Sequence, residues 1–329
     1  MNHPARWLTP ALPRLIALGA SLLLSGCITV DVGGGGQGDM RETVIQGKSG
    51  PKILLLDIDG EITDSDASGV LGWVLSEGTV ARVQDELTLA ERKGDIEAIL
   101  LRIDSPGGSP TASDSVYRLL KEFKKKYNTP IYAQYLSVAA SGGYYLSMAA
   151  DQIVASPTTI TGSIGVVMFG VSFSGLMEKV GIANQTITSG PFKDAGSWLK
   201  PMDPAEREQL QSVVDDLYDR FLTVVEAGRP NLKPARVREL ADGRIYSAPQ
   251  AKKNGLVDKI GYLEETIESI RTHLGAEQIR VVNYSRSRNP PANIYARTSI
   301  NAPIEIEPEI AARVLPKPGF YYLWWPASP

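Results

Sequence analysis

"IEAILLRIDSPGGSP", residues Ile96–Pro110, decides the architecture of this chain. Its first eight residues are apolar almost without alternation, as expected of a strand buried on both faces of a parallel sheet. "DSPGGSP" then reads as a turn, and "ASDSVYRLLKEFKKKY" (Ala112–Tyr127) as a helix. The same grammar extends both ways. Upstream, "KILLLDID" (Lys52–Asp59) is a second buried strand, followed by an amphipathic helix, "TVARVQDELTLAERKG", that closes on Gly94. Downstream come strand "PIYAQYLS" (Pro130–Ser137), a short apolar helix "GGYYLSMAA" (Gly142–Ala150), and strands "QIVAS" (Gln152–Ser156) and "SIGVVMFGV" (Ser163–Val171). A helix "FSGLMEKVG" (Phe173–Gly181) and a strand "NQTITSG" (Asn184–Gly190) follow. One long helix, Pro204–Gly228, then shorter helices and a last strand, "QIRVVNYS" (Gln278–Ser285), complete the pattern. Strands alternating with helices predict an α/β fold: a mostly parallel sheet with flanking helices and a helical C-terminal part.

The ends read differently. Arg6 and Arg14 flank an apolar stretch, "LIALGASLLL" (Leu15–Leu24), too short to span a bilayer comfortably. It ends in "LSGC", which resembles a bacterial lipobox, with residues 1–26 as a lipoprotein signal and Cys27 as the lipid attachment point; an uncleaved membrane anchor is the alternative. Residues 27–50, with "GGGGQG" at Gly33–Gly38, read as a flexible tether. These features predict a protein of the cell envelope, lipid-anchored to a bacterial membrane with its main domain outside the cytoplasm; inner versus outer membrane stays open. Residues 51–284 form that domain. Residues 285–329 are a Pro-rich tail, ending in "FYYLWW", that reads as irregular structure.

Subtraction narrows the chemistry. Composition is ordinary globular, 43% hydrophobic and 22% charged, with 34 basic against 37 acidic residues, so no basic excess points to nucleic acid. Cys27 is the only cysteine, and of two histidines His3 lies in the leader, which leaves no thiol nucleophile and no histidine-rich metal site. A Ser-His-Asp triad would need His273, which sits at a polar helix end where it complements the helix dipole. No metal or cofactor is called for.

Three loops stand at strand ends, the usual edge for active sites in open sheets. In "SPGG" (Ser105–Gly108) two glycines leave amide N–H groups uncovered, as an oxyanion hole or a plain turn requires. In "AASGGYYLSMAAD" (Ala139–Asp151) Ser141 opens a helix, where it is either an N-cap or a nucleophile in the favourable field of the helix start. In "TSGPFKDAGSWLK" (Thr188–Lys200) Lys193 is either solvated or a base whose pKa burial lowers toward neutrality, with Lys200 as a rival. Ser163, in "TGSIGV", is a further hydroxyl at a turn.

Together "ILLLDIDGEI", "LRIDSPGGS", "AASGGYYLSMAAD", "TTITGSIGVV", "SGPFKDAGS" and "DGRIYSAPQAKKNGLVDKIG" resemble the signal peptide peptidase A family over about Pro51–Tyr284. The resemblance implies a Clp-protease/crotonase-like fold and a serine endopeptidase acting on apolar peptides such as cleaved signal peptides. It implies Ser141 as nucleophile, Lys193 as base, Ser163 as support for the lysine, and the amides of Gly108 and, by analogy with Clp proteases, Gly142 as the oxyanion hole. It also implies a homo-oligomer whose active sites combine residues of neighbouring protomers. Two other readings share the fold: a crotonase-like acyl-CoA enzyme, disfavoured by an export signal, and a non-catalytic membrane scaffold.

Overall fold

The computed structural model describes residues 39–68, 74–287, 290–296 and 319–324. The leader, Cys27 and the glycine run lie outside the described residues. In chain order, strands β1 (Arg41–Gln46), β2 (Lys52–Ile62), β3 (Ala67–Ser68) and β4 (Val74–Ser76) precede helix α1 (Thr79–Lys93). Then come β5 (Ile96–Gly108), α2 (Pro110–Tyr127), β6 (Ile131–Ala140), α3 (Gly142–Ser147) and β7 (Gln152–Ala155). β8 (Ile160–Gly162), β9 (Val167–Phe169) and α4 (Ser174–Lys179) lead to the long α5 (Pro204–Gly228). α6 (Pro234–Leu240), β10 (Ile245–Ser247), α7 (Ala248–Lys253), β11 (Lys259–Ile260), α8 (Leu263–His273), β12 (Arg280–Ser285) and β13 (Gly319–Leu323) complete the described chain.

The main sheet runs β1-β12-β2-β5-β6-β7-β11, parallel throughout except where β1 meets β12. Alternation along the central strands feeds two cores. Leu54, Leu56 and Ile58 of β2, with Ile99, Leu101 and Ile103 of β5, face α1, α2, α3 and α5. Ile53, Leu55, Ala98 and Leu100 face the opposite way, onto Leu263, Ile267 and Ile270 of α8. Both faces are covered, which is why these strands read as unbroken apolar runs.

Local signals place the helix ends. Gly94 terminates α1 in the left-handed region (φ 66°) and donates its N–H to Ala90 O. Ser109 caps α2 with its side chain on the Ala112 N–H, and Asp203 with Glu206 forms a reciprocal capping box at the start of α5.

Four stretches depart from the sequence pattern. β5 does not stop at Ile103 but continues through Gly108, because Glu61 and Ile62 of β2 keep pairing with Gly107 and Gly108. Asn184–Gly190 is not a strand: Ile187 is 96% exposed, and the segment pairs with no strand among the described residues, without which an extended run has no ladder. Arg41–Gln46, within the stretch read as tether, pairs with β12 at the sheet edge. Gly319–Leu323, within the tail read as irregular, forms a strand between β5 and β9. Prolines flank that segment but do not enter it, so its N–H groups stay available.

Candidate active site

The carboxyl ends of β5 and β6 converge, with Ser105 paired to Ala139 after a register shift. At that point β6 turns abruptly into α3 through Ser141, whose backbone is held at φ 48°, ψ −112°. A non-glycine residue there is strained by about 1–3 kcal/mol and persists only when its surroundings fix it. They do: the Ser141 N–H donates to Gly162 O (2.8 Å), and the Ser141 carbonyl accepts from Tyr145 N–H (2.8 Å). The side chain, however, caps nothing. Its Oγ is buried with no hydrogen-bond partner, in a residue only 1% exposed. A capping hydroxyl would bond the N–H of the first turn. Ser141 is therefore a strained, buried and uncommitted hydroxyl at a helix start.

Ser163 is placed by the same ladder. Ala140 of β6 pairs with Gly162 of β8, so the next residue on each strand, Ser141 and Ser163, leaves the sheet at the same edge. Ser163 is also held at φ 48°, its N–H on Arg244 O (2.8 Å), and it is buried. Of the three non-glycine residues with positive φ among the described residues, two are these serines.

The glycines are needed for close approach. Gly107 (φ 108°) lies so near that a Cβ there would be 2.8 Å from the Gly142 nitrogen. A Cβ on Gly142 would be 2.4 Å from Ser113 Oγ and 3.2 Å from Gly107 Cα, and one on Gly108 would be 2.2 Å from Ile62 O. Only bare backbone lets the Pro-Gly-Gly stretch and the serine turn touch. Ser105 fixes that stretch: its Oγ donates to Gly60 O (2.6 Å) and accepts from Gly107 N–H (3.1 Å). Neither Ser105 nor Ser113 carries a local sequence signal for these contacts.

The lysines part company. Lys193 is exposed, in a turn closed by its own N–H on Gly190 O (3.2 Å), and it does not reach Ser141 Oγ within the chain. Lys200 is tied to Asp194 (2.8 Å) and to the buried carboxylate of Glu206. The hydrogen bond that Lys200 donates to Asp194, seconded by the one it donates to Glu206, pushes its pKa up to about 12, the wrong direction for a base. His273 is remote: its ring packs edge-on against Tyr132, nine residues before Ser141 along β6, about 30 Å at strand rise. Among the described residues no cluster of three or more acidic, histidine or cysteine side chains could hold a metal ion.

A serine turn at the carboxyl edge of a mostly parallel sheet, pressed against bare glycine backbone, suits a serine peptidase of the Clp-protease-like fold. The sequence comparisons agree. A model described as "Peptidase family S49" matches residues 123–277, and one described as "Clp protease" matches residues 69–160. A "Putative signal peptide peptidase SppA" of Enterococcus faecium is 34% identical over 293 residues, covering 86% of this chain and 84% of that one. "Protease 4" of Haemophilus influenzae is 33% identical over 218 residues, 66% of this chain but only 34% of the relative. Among solved structures, the membrane-bound stomatin-specific protease 1510-N is similar with a TM-score of 0.43 at 16% identity, covering 67% of this chain and 85% of that one. The chain belongs to peptidase family S49, the family of signal peptide peptidase A.

Proposed function

We propose that the chain is a lipid-anchored endopeptidase of the bacterial envelope that cuts extended apolar peptides, such as spent signal peptides, with a Ser141–Lys193 dyad. The observation that carries this reading is the buried Ser141 Oγ, held in a strained turn and bonded to nothing. Lys193 Nζ, uncharged, takes the hydroxyl proton as Oγ attacks the substrate carbonyl carbon. The amides of Gly108 and Gly142 hold the oxyanion; losing one such donor typically costs about 10²–10³ in rate. The lysine returns the proton to the leaving amine, and water then hydrolyses the acyl-enzyme. Ser163 orients Lys193. No metal or cofactor enters these steps.

Lys193 arrives from a neighbouring protomer in this reading. Around it the chain exposes Phe173, Leu176, Val180, Ile182, Phe192 and Trp198, each between 37% and 60% accessible. α4 buries no residue at all in the single chain. So much apolar surface in one segment suits a homo-oligomeric contact, and such a contact would dry the lysine that must lose its proton. Cys27 supplies the membrane attachment. The family match argues for a peptidase over acyl-CoA chemistry, and hydrolysis itself separates a peptidase from a scaffold.

The test is an apolar leader-like peptide incubated with wild type, Ser141→Ala and Lys193→Met, followed by mass spectrometry. Cleavage by wild type alone is expected. Mixing the two inactive variants and letting subunits exchange should restore part of the activity, since some sites regain both residues. Activity of either variant alone, at the wild-type level, refutes the dyad.

A further inference from the structure

The helix that follows the Pro-Gly-Gly stretch carries a feature that the hydrolytic site does not use. α2 buries Val116, Leu119, Leu120 and Phe123 against the core and turns a basic face outward. Between that face and Arg220 of α5 runs an open trough of about 620 Å³. Arg118, Lys121, Lys124, Lys125 and Arg220 line it, with Tyr117 among them.

Ion pairs account for three of those five cations. Arg118 is bonded to Glu122 (2.8 Å), Arg220 to Asp114 (2.6 Å) and Lys124 to Asp151 (2.5 Å). Lys121 and Lys125 are exposed and have no anionic partner among the described residues. They stand four residues apart on one helix face, where like charges repel. The helix dipole explains cations in the last turn, Lys124–Lys126. It does not explain Lys121, one turn earlier, or Arg220, which comes from another helix. A merely solvated surface needs no such convergence of like charge in one concavity, whereas a phosphate group does.

We propose that this trough seats the phosphate groups of anionic phospholipids, so that the α2 face docks on the membrane surface. The form of the helix favours a lipid source. Clusters of about four to eight Lys and Arg on an amphipathic helix are the pattern that binds anionic headgroups, and α2 carries Arg118, Lys121 and Lys124–Lys126. Tyr127, 40% exposed with Lys126 Nζ 5.0 Å from its ring centroid, adds the aromatic-and-cation pairing of interfacial segments. The reach is sufficient. α2 is about 27 Å long, and the fourteen residues from Cys27 to Arg41 span up to about 50 Å when extended. A lipid on Cys27 and the trough can therefore engage one bilayer together. The docking goes beyond the dyad reading and does not depend on it: it is a second, salt-sensitive membrane contact made by the folded domain.

The test uses the full chain carrying Cys27→Ser, which removes the acyl anchor, and vesicles of phosphatidylcholine alone or mixed equally with phosphatidylglycerol. Co-sedimentation compares this parent with versions that add Lys121→Gln and Lys125→Gln, or Lys121→Arg and Lys125→Arg. All three carry the same leader, so differences among them read the trough alone, and equal thermal midpoints show that the fold is intact. The parent should bind the anionic vesicles more tightly than the neutral ones. That preference should vanish as salt rises from about 0.1 M to about 1 M, where the screening length shrinks from about 10 Å to about 3 Å. Each cation at such a surface strengthens binding about fivefold. The glutamine pair should therefore lose about 25-fold, and the arginine pair nothing. Equal binding of anionic vesicles by the parent and the glutamine pair overturns the proposal. If the glutamine pair then loses only a binding of free glycerol phosphate that the parent shows, the trough serves a soluble phosphate; if it loses only self-association, the face joins copies of the chain. A water-soluble peptide should be cut equally by all three proteins, and absence of that cleavage counts against the dyad alone.

Discussion

Removing one atom, Ser141 Oγ, separates a cap from a nucleophile without any substrate. The oxygen is buried and unbonded, and an unsatisfied buried polar atom costs about 1–3 kcal/mol. Ser141→Ala deletes that penalty and leaves the backbone at φ 48°, so stability should rise by about 1–3 kcal/mol. Ser141→Gly should gain further, because glycine relieves about 1–3 kcal/mol of backbone strain against about 0.5–1 kcal/mol of its own added chain entropy. The comparison belongs in a Lys193→Met background, so that no lysine from a neighbouring copy can pair with the hydroxyl. Thermal unfolding reads the effect: for a domain of this size about 1 kcal/mol moves the midpoint by about 2–4 °C. The expected order is Gly above Ala above Ser. A drop of about 1 kcal/mol or more in Ser141→Ala would mean that the hydroxyl is satisfied in the folded state. It would then be a structural cap, and the argument for an uncommitted nucleophile would fail.

The other expectations concern the surroundings of the serine. Gly142→Ala drives a Cβ to 2.4 Å from Ser113 Oγ and should lower peptide hydrolysis by about 10²–10³ as the amide shifts. Adding Ser113→Ala removes the obstructing oxygen and should recover part of that loss; equal rates for single and double variants would refute the steric account. Lys200→Met frees Asp194 and Glu206, so the Lys193 loop loses its anchor to α5. Hydrolysis should fall but persist; a loss as complete as that in Lys193→Met would make Lys200 the base. Burial, opposed by Arg82, raises the Glu86 pKa from 4.5 to about 7. The folded state then keeps a proton that the unfolded chain releases. The contribution is fully present below about pH 4.5 and lost as pH rises through 7, up to about 3 kcal/mol in all. Glu86→Gln should accordingly lose less melting temperature than wild type between pH 5 and 8.

The sheet was legible because parallel strands buried on both faces cannot hide: Leu54–Leu56 and Ile99–Leu101 admit no amphipathic alternative. The close of α1 was legible for a similar reason, since Gly94 acts over four residues of local sequence. Ser141 was legible as a position but not as a role, because a cap and a nucleophile share the sequence and differ only in where the oxygen points. Ser105 and Tyr145 were missed for a different reason. Their partners, Gly60 and Asp114, are 45 and 31 residues away, and nothing local announces such contacts. Asn184–Gly190 shows the reverse error, since β-rich composition predicts a strand only where a neighbour offers a ladder.

The placement of Lys193 fits a restrained peptidase. A peptidase with a preassembled dyad would attack any extended chain within reach, its own unfolded segments included. Here Ser141 is positioned within one chain, whereas Lys193 stands exposed amid unburied apolar side chains. In the proposed shared site, assembly therefore gates hydrolysis by bringing the lysine. Concentration tests this. Dilution below the assembly threshold should abolish the rate, because the serine then lacks its base. If diluted, monomeric protein cleaved peptide at the assembled rate, Lys193 would have to reach Ser141 within one chain, and the shared-site reading would fall.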